Sequence, residues 1–258
     1  MTDQIPDGTN VIGLWAVPRS VSTAFEKAFS CRADSSVSHE PFTDCYYFGS
    51  QRRCARYGDQ PHKNGFTGAS AVAEILADPA PVVFTKDLAF QAGPYLSDEL
   101  LAQITNTFIV RHPRTVLRSL TPLKPDFTED EYGFTALARL FRRVTKLGQH
   151  PRVVVEGDDF RRNPDEVLRA YCLAVGLRFD EAMLHWEDGR IRNWTPDEEQ
   201  SQAKWHRTLE ASHTVLPPTE DDSVPVPPER AQMYQRALDI YEELSRFTVL
   251  DAKKSVAT

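Results

Sequence analysis

Short apolar runs alternate with longer stretches of helical period through the first two-thirds of this chain. Val11–Val17, Val82–Thr85, Thr107–Val110 and Val153–Glu156 are such runs, each too short to cross a membrane and suited to strands of a parallel sheet, and the more polar Ser36–His39 is a further strand candidate. Helical stretches separate most of them. The pattern predicts right-handed crossovers and a three-layer α/β/α fold around a central, mostly parallel sheet. Further on, Met233, Tyr234, Ala237, Leu238, Tyr241 and Leu244 recur at helical spacing, so an amphipathic helix over 230–247 is expected to pack back on the body. Before it, Thr214 to Glu229 is rich in proline and acid, which predicts a surface loop over 214–229.

The segment 40–70 breaks the pattern. It mixes Tyr46, Tyr47, Phe48 and Tyr57 with Arg52, Arg53 and Arg56, and has turn formers around Gly58 and Gly65. It reads as a partly helical cover whose rings either contact a ligand or pack on the core. The whole chain, 1–258, is read as one domain, because 258 residues can bury one good core.

Composition narrows the classes. Thirty Lys and Arg against 37 Asp and Glu give a net charge of −7, which argues against a nucleic-acid or anionic-membrane binder. An anionic ligand then needs a local basic cluster, which Arg19, Lys86, Arg111, Arg114 and Arg118 could supply. The polar start lacks a signal-peptide pattern and no apolar run has membrane length, so a cytoplasmic location is expected. The four cysteines, without C-x-x-C spacing, read as reduced thiols and not as a metal site.

Two strand–turn–helix segments carry the chemistry. In Val11 to Phe29 an apolar strand breaks at Pro18 into Arg19-Ser20-Val21-Ser22-Thr23 and resumes as a helix. Such a turn brings backbone N–H groups around an anion, Arg19 adds a planar fork of donors, and Ser20, Ser22 and Thr23 add hydroxyls. It is not the loop of ATP- and GTP-using enzymes, because 16–23 holds no glycine and no lysine precedes the hydroxyl. The second segment runs from Asn106 to Leu120. Phe108 to Val110 form its strand, Arg111 stands at the carboxyl end, and Pro113 fits a first helical turn. Ser119 follows Arg111 by eight positions, two turns on, so a ligand along that helix could touch both.

Together these segments resemble the sulfotransferase family, whose donor is 3′-phosphoadenosine 5′-phosphosulfate (PAPS) and whose product nucleotide is adenosine 3′,5′-bisphosphate (PAP). The family's phosphosulfate loop is similar to Pro18-Arg19-Ser20-Val21-Ser22-Thr23, and its 3′-phosphate motif to Arg111-His112-Pro113 with Ser119. Arg152 to Phe160 and Asn163 to Leu168 look like the family's late strand and following helix; Asn163 and Glu166 suit a capping box and Gly176 a stop. The match resembles a bacterial small-molecule branch more than the animal cytosolic enzymes. Val21 stands where the family has glycine, so the turn is not expected to use a positive φ there.

The resemblance implies a P-loop-like fold and sulfuryl transfer to a hydroxyl or amine of a small-molecule acceptor, without a metal. It implies that Arg19 serves the bridging oxygen of the leaving group and that Lys86 sits at the sheet's ligand-binding edge. Leu88 replaces the histidine base of the animal enzymes. Glu40 holds the place of the acid base of other branches, with its pKa expected to rise on desolvation. His39 is the competitor, and strand alternation would point it away from Glu40. Trp205 would stack on adenine and Arg207 reach a phosphate. Two other readings remain at this level: a fold that binds PAP without transferring sulfate, and a kinase-like enzyme.

Overall fold

The structure, a computed structural model, describes residues 5, 8–56, 62–148, 153–189, 206, 208–218 and 225–251. Its strands are β1 (Asn10–Ala16), β2 (Ser35–His39), β3 (Val82–Leu88), β4 (Thr105–Val110) and β5 (Val153–Glu156). They form a five-stranded sheet in the order β2-β3-β1-β4-β5, parallel throughout. The helices are α1 (Ser22–Ser30), α2 (Thr43–Tyr47), α3 (Gly68–Ala77), α4 (Ala89–Ala92), α5 (Asp98–Gln103), α6 (Pro113–Leu120), α7 (Glu129–Tyr132), α8 (Phe134–Lys146), α9 (Gly157–Arg162), α10 (Pro164–Ala174) and α11 (Ala231–Ser245). All five expected strands are present, and β3 runs three residues beyond its expected end.

Strand β1 explains why its sequence is apolar at nearly every position. Val11 and Trp15 face one core with Leu117 of α6, Leu137 and Phe141 of α8 and Leu244 of α11. Ile12, Leu14 and Ala16 face the other with Phe25 and Phe29 of α1 and Leu168 and Tyr171 of α10. A strand covered on both faces has no polar side to expose. Trp15 is fully buried, and its Nε1 donates to Asn106 Oδ1 at 2.9 Å. Truncating a side chain of this size to alanine costs about 3–5 kcal/mol.

Several local expectations change. Asn163 precedes α10, but its side chain makes no capping hydrogen bond; Pro164 opens the helix instead. Gly176 does end it, with φ +74°. The stretch 214–229 is not simply surface, since Val215 is buried and packs on the α1 side of the sheet. In α11, Ala237 and Leu244 are buried, while Met233, Tyr234 and Tyr241 pack partly covered on the α8 side. All four cysteines are free thiols. No helix among the described residues is long and apolar enough to cross a membrane.

Candidate active site

The β1–α1 turn is bent more sharply than its composition suggests. Arg19 has φ +63° and Val21 φ +71°, both left-handed. The expectation for Val21 is therefore wrong: a β-branched residue takes the conformation for which glycine is the usual choice. Its carbonyl accepts from Ala24 and Phe25 N–H as α1 begins, but no side chain caps the helix. A left-handed L-residue costs roughly 1–2 kcal/mol, and such strain persists where the surroundings over-determine it. Those surroundings are visible. A Cβ on Gly157 would lie 2.4 Å from the Ser20 carbonyl oxygen, and one on Gly133 2.6 Å from Pro18 Cδ. Two glycines thus let α9 and α8 press on the turn from behind. Ser20 is buried and its Oγ donates to the Val17 carbonyl at 2.7 Å, so its hydroxyl faces inward, away from any ligand. Ser22 and Thr23 line the cavity in front.

The β4–α6 turn meets it. Pro113 occupies the first turn of α6, and the His112 ring nitrogen Nδ1 accepts from Arg114 N–H. Arg111 donates from Nε and an Nη to Asp158 Oδ1, at 2.9 and 2.7 Å, and from its other Nη to the Arg19 carbonyl at 3.4 Å. Arg19 donates from Nε to Ser119 Oγ at 2.8 Å. Arg19 and Arg111 therefore enter one cavity. Burial, and then the Arg111 charge, lower the Arg19 pKa. Two converging guanidinium groups that repel one another present donors of the kind that suit an anion.

Below the turn lies a buried ionic cluster. Lys86, fully buried, holds Glu40 Oε1 at 2.6 Å, Glu26 Oε2 at 3.4 Å and Thr23 Oγ1 at 3.5 Å from its Nζ. His39 Nδ1 lies 2.8 and 3.0 Å from the two oxygens of Glu26. Glu40 follows β2 with φ +46°, which breaks the pleat. Glu40 and His39 therefore converge on the same cluster, contrary to the alternation expected of a strand. The expected rise of the Glu40 pKa is overturned too. Burial opposes its charge, but Lys86, His39 and His206 outweigh burial and hold the carboxyl at about 2. Burial works against the Lys86 charge as well, yet Glu40 and Glu26 raise its pKa. Asp87, buried beside Glu40, is pushed well up by burial and that neighbour, although it accepts from Phe42 and Leu88 N–H.

The cavity has a volume of about 1340 Å³. At one end it is lined by Arg19, Arg111, Arg118, Ser119 and Arg161; at the other by Tyr47, Phe48, Phe66, Leu88 and Phe90. The cover segment thus divides its rings. Tyr47 and Phe48 reach the cavity, while Tyr46 packs against Phe90 and Arg56 is tied to Glu131 and Asp126. Arg114 leaves the expected basic cluster and lies over Tyr234, 5.7 Å from the ring centre. Trp205 and Arg207 fall outside the described residues.

Three participants escape sequence reasoning. Glu26 sits between Phe25 and Lys27 and looks like an ordinary polar helix position, yet it is fully buried. His206 packs its ring on His39 with centres 5.5 Å apart, and burial drives its pKa down to about 3. Arg161 donates to the Leu216 and Pro217 carbonyls at 2.8 and 2.5 Å, strapping the start of the proline-rich stretch beside the basic end. No three His, Cys, Asp or Glu side chains among the described residues group as metal ligands.

A parallel α/β sheet with two strand–turn–helix segments at the carboxyl ends of neighbouring strands defines the class of open α/β folds whose ligands bind at that edge. The chain belongs to the sulfotransferase family: the family model for a sulfotransferase domain matches residues 10–246. It is 26% identical over 213 residues to branched-chain-amino-acid aminotransferase-like protein 2 of Arabidopsis thaliana, covering 78% of this chain and 35% of that protein. Protein 1 of the same name and plant is 25% identical over 197 residues, covering 72% and 34%. The chain thus spans about a third of the length of these curated relatives. Among solved structures, a sulfotransferase domain from the curacin biosynthetic pathway superposes with a TM-score of 0.52, at 14% identity over 92% of this chain and 98% of that one. At that identity the likeness is one of fold.

Proposed function

We propose that this chain transfers a sulfuryl group from PAPS to a hydroxyl or amine of a small-molecule acceptor. The reading rests above all on the meeting of Arg19 and Arg111 in one cavity, with Arg19 bonded to Ser119. Two mutually repelling guanidinium groups suit a ligand with two separated phosphates, which PAPS and PAP both carry. Arg111, braced by Asp158, and Ser119 serve the 3′-phosphate; the 18–23 turn and Lys86 serve the phosphosulfate. A cavity of about 1340 Å³ exceeds the roughly 300–1,000 Å³ of a site for one drug-sized ligand, which supports two occupants side by side.

The chemistry follows from charge. As the S–O bond to the leaving phosphate breaks, negative charge grows on the bridging oxygen. Arg19 and the turn's N–H groups are the donors nearest the expected position, where fixed dipoles act without reorganisation. Lys86 lies beneath Thr23 and adds a buried positive charge. The aromatic end, with Tyr47, Phe48, Phe66 and Phe90, suits an acceptor with an apolar body. Proton removal from the acceptor falls to the cluster of Glu40 and His39.

The test is transfer of label from sulfur-35 PAPS into a mixture of hydroxylated and amino small molecules. Labelled acceptor that depends on the protein and vanishes in Arg19→Ala supports the reading. PAP binding without any transfer leaves only a nucleotide-binding fold, and neither binding nor transfer removes the reading altogether.

A further inference from the structure

We propose that His39, oriented by Glu26, removes the acceptor's proton, and that Glu40 acts on Lys86 instead of on the acceptor. This assignment rests on the sulfuryl-transfer reading above. It starts from the bonds that Glu40 already makes. Oε1 holds Lys86 at 2.6 Å, and Oε2 lies 3.2 Å from Thr43 Oγ1, whose single proton is shared between it and Gln91 Oε1 at 3.0 Å. Both oxygens are engaged, and a carboxylate clamped by a buried ammonium is a poor proton acceptor.

His39 is arranged the other way. Both oxygens of Glu26 lie within 3.0 Å of its Nδ1. A carboxylate only accepts, so the proton of that contact belongs to Nδ1, and the lone pair of the neutral ring is then on Nε2. This is the general arrangement in which an acid fixes the tautomer and aim of an imidazole base. Glu26 itself is fully buried in α1, one helical turn after Ser22 of the anion-binding turn, beside Phe25 and Phe29. A charge in that place is costly unless paired. Its partners are His39 and Lys86, and both belong to the candidate site. The Glu26 carboxylate thus links the base, the buried lysine and the helix that carries the anion turn. His206, packed on His39, covers the same ring.

The step balances as follows. The acceptor O–H proton passes to His39 Nε2 while the oxygen's electron pair forms the new S–O bond. The old S–O bond breaks toward the phosphate of PAP, which keeps its electrons beside Arg19. His39 then returns the proton to water, so donor and acceptor yield PAP, the sulfate ester and one proton.

The experiment compares Glu26→Gln, Glu26→Asp, His39→Asn and Glu40→Gln in kcat, acceptor KM and PAP affinity, with nitrogen-15 NMR of the histidine rings. A glutamine amide carries no charge and can donate to Nδ1 as well as accept from it, so it no longer holds the ring proton on Nδ1. Glu26→Gln is therefore expected to lower kcat about 10²–10⁴-fold, with PAP affinity and acceptor KM unchanged. His39 should no longer hold its proton on Nδ1 alone in the NMR spectrum, and Glu26→Asp should recover part of the rate. Glu40→Gln should retain more turnover than His39→Asn. Wild-type turnover in Glu26→Gln or His39→Asn would overturn the proposal. So would a Glu26→Gln loss shared equally by kcat and PAP affinity, or a His39 that does not carry its proton on Nδ1. If the wild type neither binds PAP nor transfers sulfate, the donor reading fails instead, and the tautomer alone decides whether the Glu26–His39 pair exists.

Discussion

Arg19 Nε donates to Ser119 Oγ at 2.8 Å, joining the β1–α1 turn to helix α6 across 100 residues of sequence. β1 and β4 are adjacent in the sheet, so the turns at their carboxyl ends are neighbours. The resemblance assigns Arg19 to the phosphosulfate and Ser119 to the 3′-phosphate. Their bond joins the two turns, and Arg111 donates to the Arg19 carbonyl at 3.4 Å.

Lys86 is the cation on which the buried cluster depends. Removing one partner of a buried ion pair leaves an uncompensated charge and costs about 3–5 kcal/mol. Lys86→Met should lose about that much in urea unfolding. The double variant Lys86→Met/Glu40→Gln should be less destabilised than the sum of its singles, because it removes both charges together. Strict additivity would deny that the contact matters to stability.

Glu156 gives a pH signature. Burial, and then Asp158 and Asp159, push its pKa up to about 7, even though Oε2 accepts from Asp159 N–H. Its other oxygen is buried without a hydrogen-bond partner. The folded state therefore keeps a proton that the unfolded chain releases near 4.5. That contribution is fully present below about pH 4.5 and is lost as the pH rises through 7. Glu156→Gln, which stays neutral, should match wild type in Tm at pH 4 and exceed it by several degrees at pH 8, on the order of 3 kcal/mol. Equal Tm values at both pH values would contradict the buried position.

Val21 is the strained residue of the turn. Glycine would relieve roughly 1–2 kcal/mol of left-handed strain, against about 0.5–1 kcal/mol of added chain entropy and the loss of a partly buried side chain. Val21→Gly should lose no stability and gain up to about 1 kcal/mol, with PAP affinity retained. A loss of 1 kcal/mol or more in thermal unfolding would mean that φ +71° is not the conformation in solution.

The sheet was legible because β1, β3, β4 and β5 are buried along nearly their whole length, so their apolar runs needed no partner to be recognised; β2, polar and half-buried, is an edge strand. Arg111, Pro113 and Ser119 were legible for a similar reason: their spacing is that of one helix opening at a strand end. Position-by-position reading failed where the neighbours come from other parts of the chain. Glu26 has the sequence context of a solvent-facing helix residue, and only the arrival of β2 and β3 makes it the partner of His39 and Lys86. The pKa of Glu40 could not be anticipated from desolvation alone, because the sign is set by how close Lys86 comes. The turn at Val21 is enforced by Gly157 and Gly133, which sit more than 100 residues away. Asn163 had the right composition for a cap but not the right backbone angles.

Titration calorimetry with PAP, on wild type and Arg111→Ala, tests most directly whether the two turns hold one nucleotide. Micromolar binding by the wild type, weakened at least about tenfold to a hundredfold in Arg111→Ala through loss of charge-assisted contacts, is the expected result. Wild type that binds no PAP, or Arg111→Ala that binds it equally well, would contradict the shared site.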